Sequence, residues 1–217
     1  MTTTTWRCLG MGLSLAVAAA TRADRGALTL EGAPTFTVLS MAPPLGTAGN
    51  ITGTQVGGLL GLRYALSNGL ELTVTGAYEA PAHYYHDGTK VVTENGTFVG
   101  TLQSRVSAFG VTAGARYVRG FVWRFFVGGE LGWSRRSFGT PDLIDVTDPQ
   151  RPASFGLSLR DTIVTSLVAA PLVGFEWVAS DHLTISLAPR AQMFVGSGGT
   201  TFALLVPLTI GYSWYLL

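Results

Sequence analysis

Few residues in this chain have types and spacings suited to chemistry. His83, His86 and Asp87 lie close enough in sequence to bring two imidazoles and a carboxylate to one metal ion, but no third fixed ligand accompanies them. They read as solvated residues of a long loop. Ser104 or Ser107 with His83 or His86 and Asp87 would supply the hydroxyl, base and acid of a hydrolase, and nothing in the spacing fixes their geometry. Asp142, Asp145, Asp148 and Asp161 form an acidic stretch that either holds a divalent cation or is simply hydrated. Arg135 and Arg136 form a basic pair suited to contact with phosphate. The chain is therefore expected to be no enzyme and to carry no cofactor or resident metal.

The elements that must position these residues follow from an unusual composition. Charged residues make up only 12% of the 217 residues and hydrophobic ones 47%, with a mean hydropathy of +0.35. Soluble domains carry about 25% charge, and disordered chains are polar rather than apolar. Formal net charge is +1, and Lys90 and the arginines are scattered, which argues against a nucleic-acid partner. The chain is thus expected to meet lipid.

Residues 1–20 read as a cleaved secretory signal, with a second possible end at Ala23. Arg7 supplies the positive start, Cys8 to Ala20 is apolar, and Ala18-Ala19-Ala20 offers the small residues of a cleavage site. The apolar run between Arg7 and Arg22 is shorter than the roughly 20 residues a spanning helix needs. Removing the leader removes Cys8, the one cysteine, and leaves residues 21–217 without thiol or disulfide chemistry. It also balances acidic and basic residues at 13 each.

Along the remaining chain the dominant signal is alternation with a period of two. Phe202, Leu204, Val206, Leu208, Ile210, Tyr212, Trp214 and Leu216 share one parity, and Thr209, Gly211 and Ser213 share the other. Strands place alternate residues on opposite faces, so this is a strand with one apolar face. Similar segments begin near Leu28, Val56, Leu70, Phe109, Phe121, Leu167 and Leu183, making eight strands. Ser67-Asn68-Gly69, Val118-Arg119-Gly120 and Ala179-Ser180-Asp181 are tight turns. Longer links run over 40–53, 80–97, 135–157 and 195–201.

Short turns at one end and long loops at the other predict an all-β fold. The fold class is an eight-stranded antiparallel up-and-down transmembrane β-barrel with short periplasmic turns and longer extracellular loops. Tyr64, Tyr117, Phe121, Trp123, Trp177 and Trp214 have the apolar parity near the tight-turn side, and Trp133 has it near the long loops. Such residues form the aromatic girdles at membrane interfaces.

At this point the chain resembles the small OmpA/OmpX-type outer-membrane barrels over essentially all of residues 21–217. The resemblance implies a bacterial outer-membrane location after export through the periplasm. Thr209, Gly211, Trp214 and Leu216 look like that family's carboxy-terminal signal, which implies recognition by the barrel-assembly machinery. The departure is the ending Leu216-Leu217, where an aromatic residue is usual. Arg135 and Arg136 would then lie just outside the Trp133 belt, facing lipopolysaccharide. Pro34, Pro171, Pro189 and Pro207 fall within proposed strands and call for bulges or positions above the hydrocarbon band. Asn50-Ile51-Thr52 and Asn95-Gly96-Thr97 match a glycosylation pattern only coincidentally in a bacterial chain.

An eight-stranded barrel is just wide enough for side chains to fill. The inward parity selects Glu31, Arg63, Glu71, Arg116, Arg124, Glu130, Glu176 and Arg190, four of each sign, which must pair because isolated buried charge is costly. A filled polar interior points to a structural or surface-interaction barrel working through its extracellular loops. Two alternatives stay open: a subunit of an envelope machine for secretion, polysaccharide export or gliding motility, and a narrow channel for small solutes. Partners are outer-membrane lipid and lipopolysaccharide, with other envelope proteins under the second alternative.

Overall fold

A computed structural model of the chain describes residues 25–41, 51–93, 96–145, 153–156, 162–196 and 199–216. The proposed leader, Asn50, Asn95, Asp148, Asp161 and Leu217 lie outside the described residues. The strands are β1 (Ala27–Met41), β2 (Ile51–Ser67), β3 (Leu70–Thr93), β4 (Gly96–Gly120), β5 (Trp123–Phe138), β6 (Asp142–Asp145), β7 (Ala153–Gly156), β8 (Thr162–Val178), β9 (Leu183–Leu187), β10 (Arg190–Gly196) and β11 (Gly199–Tyr215). Neighbouring strands pair antiparallel, β5 pairs with β8, and β9 and β10 act as two halves of one stave between β8 and β11. Pairing of β1 with β11 closes a ring of eight staves.

The apolar parity faces outward. Leu60, Leu62, Val74, Phe125, Leu131, Leu167 and Ile210 are all exposed, while the intervening Thr, Glu and Arg side chains are buried. Such a sheet is stable only if lipid covers the outside, because water would face a continuous apolar band.

The long links expected over 80–97 and 135–157 are largely strand instead. β3 and β4 run 24 and 25 residues, far beyond the roughly 9–11 needed to cross a bilayer. β5 continues through Arg135 to Phe138, and β6 and β7 form a further hairpin on the edge of β4. Above the membrane the polarity of the faces is exchanged. Leu39, Tyr84, Val106, Phe138, Val168, Phe194 and Ala203 form a buried apolar cluster inside the wall. Arg105 and Ser137 are exposed outside it. Because its apolar parity points inward, the extension does not continue the outward apolar stripe of the membrane strands.

The turns differ in detail from their expected positions. Asn68-Gly69 is a two-residue connection, with Gly69 at φ 93° where a side chain is disfavoured. β4 extends through Gly120, so the next turn is Phe121-Val122.

The four prolines lie on adjacent staves, β8, the β9–β10 pair, β11 and β1. The register passes them without a shift, so bulges do not accommodate them: Gly32 faces Ile210 and Thr35 faces Pro207 on the same offset. What changes is the pairing, which lapses at Ala33-Pro34, at Ala188-Pro189 and beside Pro171. A proline has no N–H to donate to the ladder, so clustering confines the loss to one sector of the wall.

Candidate functional site

The interior charges expected from parity come together. Arg63 on β2 is central: Nε lies 2.8 Å from Glu31 Oε2, and Nη1 lies 2.8 Å from Glu176 Oε2 and 3.2 Å from Glu71 Oε2. Its Nη2 donates to Thr184 Oγ1 at 3.2 Å. Arg116 on β4 bonds Glu71 at 2.7 Å and Glu176 at 3.2 Å, and its guanidinium lies 4.3 Å from the Phe126 ring centroid. Arg124 sits nearer the tight-turn mouth, 3.7 Å from Glu176 Oε1, and is the most exposed member. Three carboxylates thus interleave with three guanidinium groups across six staves.

A second group lies toward the other end. Glu130 Oε2 accepts from Arg190 at 2.9 Å and Thr112 at 2.7 Å, and Oε1 accepts from Thr73 at 3.1 Å and Thr75 at 3.3 Å. Each carboxylate oxygen is supplied with donors, as burial demands. Arg124→Ala is accordingly expected to cost less stability than Glu130→Ala. Urea unfolding midpoints in detergent check this, and equal midpoints would contradict it.

Sequence reasoning missed a third inward pair. Glu79 and Arg136 are both buried, with Thr37 donating to Glu79 Oε1 at 3.1 Å and Arg136 lying 3.8 Å from the Phe194 ring centroid. This corrects the assignment of Arg136 to an outer contact with lipopolysaccharide. Adjacent residues of a strand face opposite ways, so Arg135 is exposed and Arg136 turns inward. The same parity would have placed both residues of the missed pair.

Above these layers Tyr84 is fully buried, donating to Gln55 Oε1 at 2.7 Å, and Gln55 Nε2 donates to the Val106 carbonyl at 2.7 Å. A cavity of about 250 Å³ opens at the tight-turn mouth beside Arg63, Arg124 and Glu176. Another, about 30 Å³, lies between Leu59, Glu79, Arg190 and Phe194, room for one or two waters.

Ser104 and His83 of the candidate catalytic set lie on opposite faces of the wall. His83 to Asp87 belong to β3 rather than a loop, and Tyr84 between them points inward. Ser104 is buried and donates to the Gly139 carbonyl at 3.2 Å, whereas His83 is exposed on the opposite face. Asp87 accepts from Thr101 at 2.8 Å. Among the described residues no group of three His, Cys, Asp or Glu side chains could hold a metal ion.

On the outer face, Tyr64, Tyr117, Phe121, Trp123, Trp133, Trp177 and Trp214 are all exposed. Trp123 stacks on Trp177 with centroids 6.1 Å apart, and Phe109 meets Trp133 edge-on at 5.7 Å. On β11, Thr209 and Gly211 face inward while Trp214 is exposed, as is Leu216 just beyond the strand.

No family model matches this sequence, and no curated protein matches it. Solved structures do match its fold. Ail, the attachment invasion locus protein of Yersinia pestis, is 12% identical, with a TM-score of 0.52 over 88% of this chain and 99% of that one. Neisserial surface protein A is 13% identical, with a TM-score of 0.53 over 88% of this chain and all of the other.

Proposed function

We infer that this chain, whose fold is that of the OmpA/OmpX-type barrels of the bacterial outer membrane, works as a closed barrel that presents a surface-interaction sheet. The exchange of polarity along β3, β4 and β5 carries this reading. Within the membrane the wall is apolar outside and charged inside, and beyond it these strands turn largely polar outside and seat an apolar cluster inside. The upper part therefore behaves as a small water-soluble β-structure standing on a membrane anchor. Its polar outer face, extended by β6 and β7, is the working surface, a role that β-strand holds more rigidly than mobile loops would.

Residues 1–20 act as the export signal, and Thr209, Gly211, Trp214 and Leu216 engage the barrel-assembly machinery. The exposed aromatics set the depth of the barrel in the bilayer, because Trp and Tyr favour the interface.

A passage for solutes is disfavoured by the stacked ion pairs and the apolar cluster above them. In a planar bilayer the barrel is expected to give no unitary current steps across a range of voltages. Reproducible steps would favour the channel alternative.

The reading as a self-contained barrel is tested by the size of the native particle extracted in mild detergent. A single chain in its micelle supports it. A larger particle with reproducible companions would replace it with a subunit of an envelope machine.

A further inference from the structure

The cavity of about 250 Å³ at the tight-turn mouth lies at the opposite end of the barrel from the extension. It falls short of the roughly 300–1,000 Å³ of pockets for drug-sized ligands, so its occupant must be small. Glu71, Glu176 and Asp181 bring three carboxylates to its lining, against two guanidinium groups from Arg63 and Arg124.

The cations do not use up these acids. Arg63 is committed, since each of its nitrogens already faces Glu31, Glu71, Glu176 or Thr184. Arg119 donates to the Tyr117 hydroxyl at 2.8 Å and lies over that ring on the outer wall, and Arg25 is not part of the lining. Glu176 is fully buried, and its Oε1 has no hydrogen-bond partner. Arg124 Nη1 stands 3.7 Å from that oxygen, outside hydrogen-bond reach, and Arg124 Nε donates instead to the Phe121 carbonyl at 3.2 Å. A buried carboxylate oxygen without a donor is costly, so this end of the pocket calls for one.

The other end differs. Asp181 is exposed on the turn between β8 and β9, at the rim. Phe121 and Val122, the turn between β4 and β5, line the same pocket together with Val178. A deep acceptor lacking a donor, a second acid at the rim and an apolar wall suit a short alkyl chain with an ammonium at each end. Such a stem buries its methylenes while its charged tips reach polar partners.

We propose that the tight-turn mouth binds a linear aliphatic diamine. One ammonium donates to Glu176 Oε1, the stem lies against Phe121, Val122 and Val178, and the second ammonium meets Asp181. The ligand's charge offsets the excess of carboxylates in the lining. The site is independent of what the extension contacts at the far end.

The test titrates the barrel, purified in a nonionic detergent, with 1,5-diaminopentane, pentylamine and 1,5-pentanediol by isothermal titration calorimetry. These carry two, one and no ammonium groups on the same stem. The diamine should bind about fivefold more tightly than pentylamine, the most that one exposed ion pair adds. The diol should give no heat beyond dilution. Asp181→Asn should lower the diamine to the affinity of pentylamine and leave pentylamine unchanged. Ala65→Leu, which adds bulk to the lining from β2, should abolish binding of both amines while an unheated gel still shows a folded band. Asp142→Asn, which removes an acid at the far end, should change nothing. Equal binding of the two amines, binding of the diol as tight as that of the amines, or no heat from any of the three overturns the proposal and leaves the pocket to water. So does an Asp181→Asn barrel that binds the diamine as the unaltered one does, a result that stands even if Ala65→Leu fails to fold.

Discussion

Glu176→Gln is expected to destabilise the barrel more than any other single removal of an interior charge. Glu176 is fully buried, and its two oxygens serve Arg63, Arg116 and Arg124 at 2.8, 3.2 and 3.7 Å. The amide keeps the shape but withdraws the negative charge, leaving three guanidinium groups sharing Glu31 and Glu71. Breaking a buried ion pair by removing one partner costs about 3–5 kcal/mol, because the survivor stays desolvated without compensation. Here three survivors are affected, and the effect belongs at the upper end of that range. Ser137→Ala, on the exposed face of the extension, should change stability by less than about 0.5 kcal/mol. Urea unfolding of the folded barrel in lipid vesicles measures both, and indistinguishable midpoints would show that the network contributes no stability.

A comparable loss is expected from Gly114→Val, through sterics rather than charge. A Cβ at Gly114 would overlap the Gly129 carbonyl oxygen and lie 2.7 Å from Glu130 Cα. Both are backbone atoms of the paired β5 strand, which cannot swing aside as a side chain can. The missing side chain lets β4 and β5 approach closely where Glu130 enters the interior. The cost should reach or pass the roughly 3 kcal/mol upper end of ordinary overpacking, and the barrel should fail to give a folded species on an unheated gel. Gly129→Val is the matched comparison, since its Cβ would point outward and meet nothing nearer than the Ala170 carbonyl at 3.9 Å. Valine there should be tolerated. Equal behaviour of the two variants would mean that β4 and β5 do not approach as described.

Much of this architecture was legible from alternation alone. Barrel strands are two-faced, so parity separated Leu60, Phe125 and Ile210 from Glu31, Arg63 and Glu176 before any contact was known. The parity that turns Glu71 inward also turns Glu79 inward, and a strand must turn Arg135 and Arg136 apart, so that basic pair divides between the outer face and the interior. The extension reads differently. Ala108, Val106 and Leu102 alternate as regularly as the membrane strands, but with the apolar side inward, so a search for outward apolar residues reads the segment as loop.

On the outer face, His83 and Arg105 become neighbours only through the pairing of β3 with β4, although they stand 22 residues apart in the sequence.

By itself the sequence determined that the chain is a barrel, which face meets lipid, and that charges of both signs share the interior. These follow from local periodicity, because each strand carries its own two faces. Only the tertiary structure decided which charges pair, why four prolines are tolerated, and where the outward arginines stand. Those depend on register between strands and on closure of β1 against β11. Both are set by contacts between residues far apart in the chain, for which a single strand holds no information.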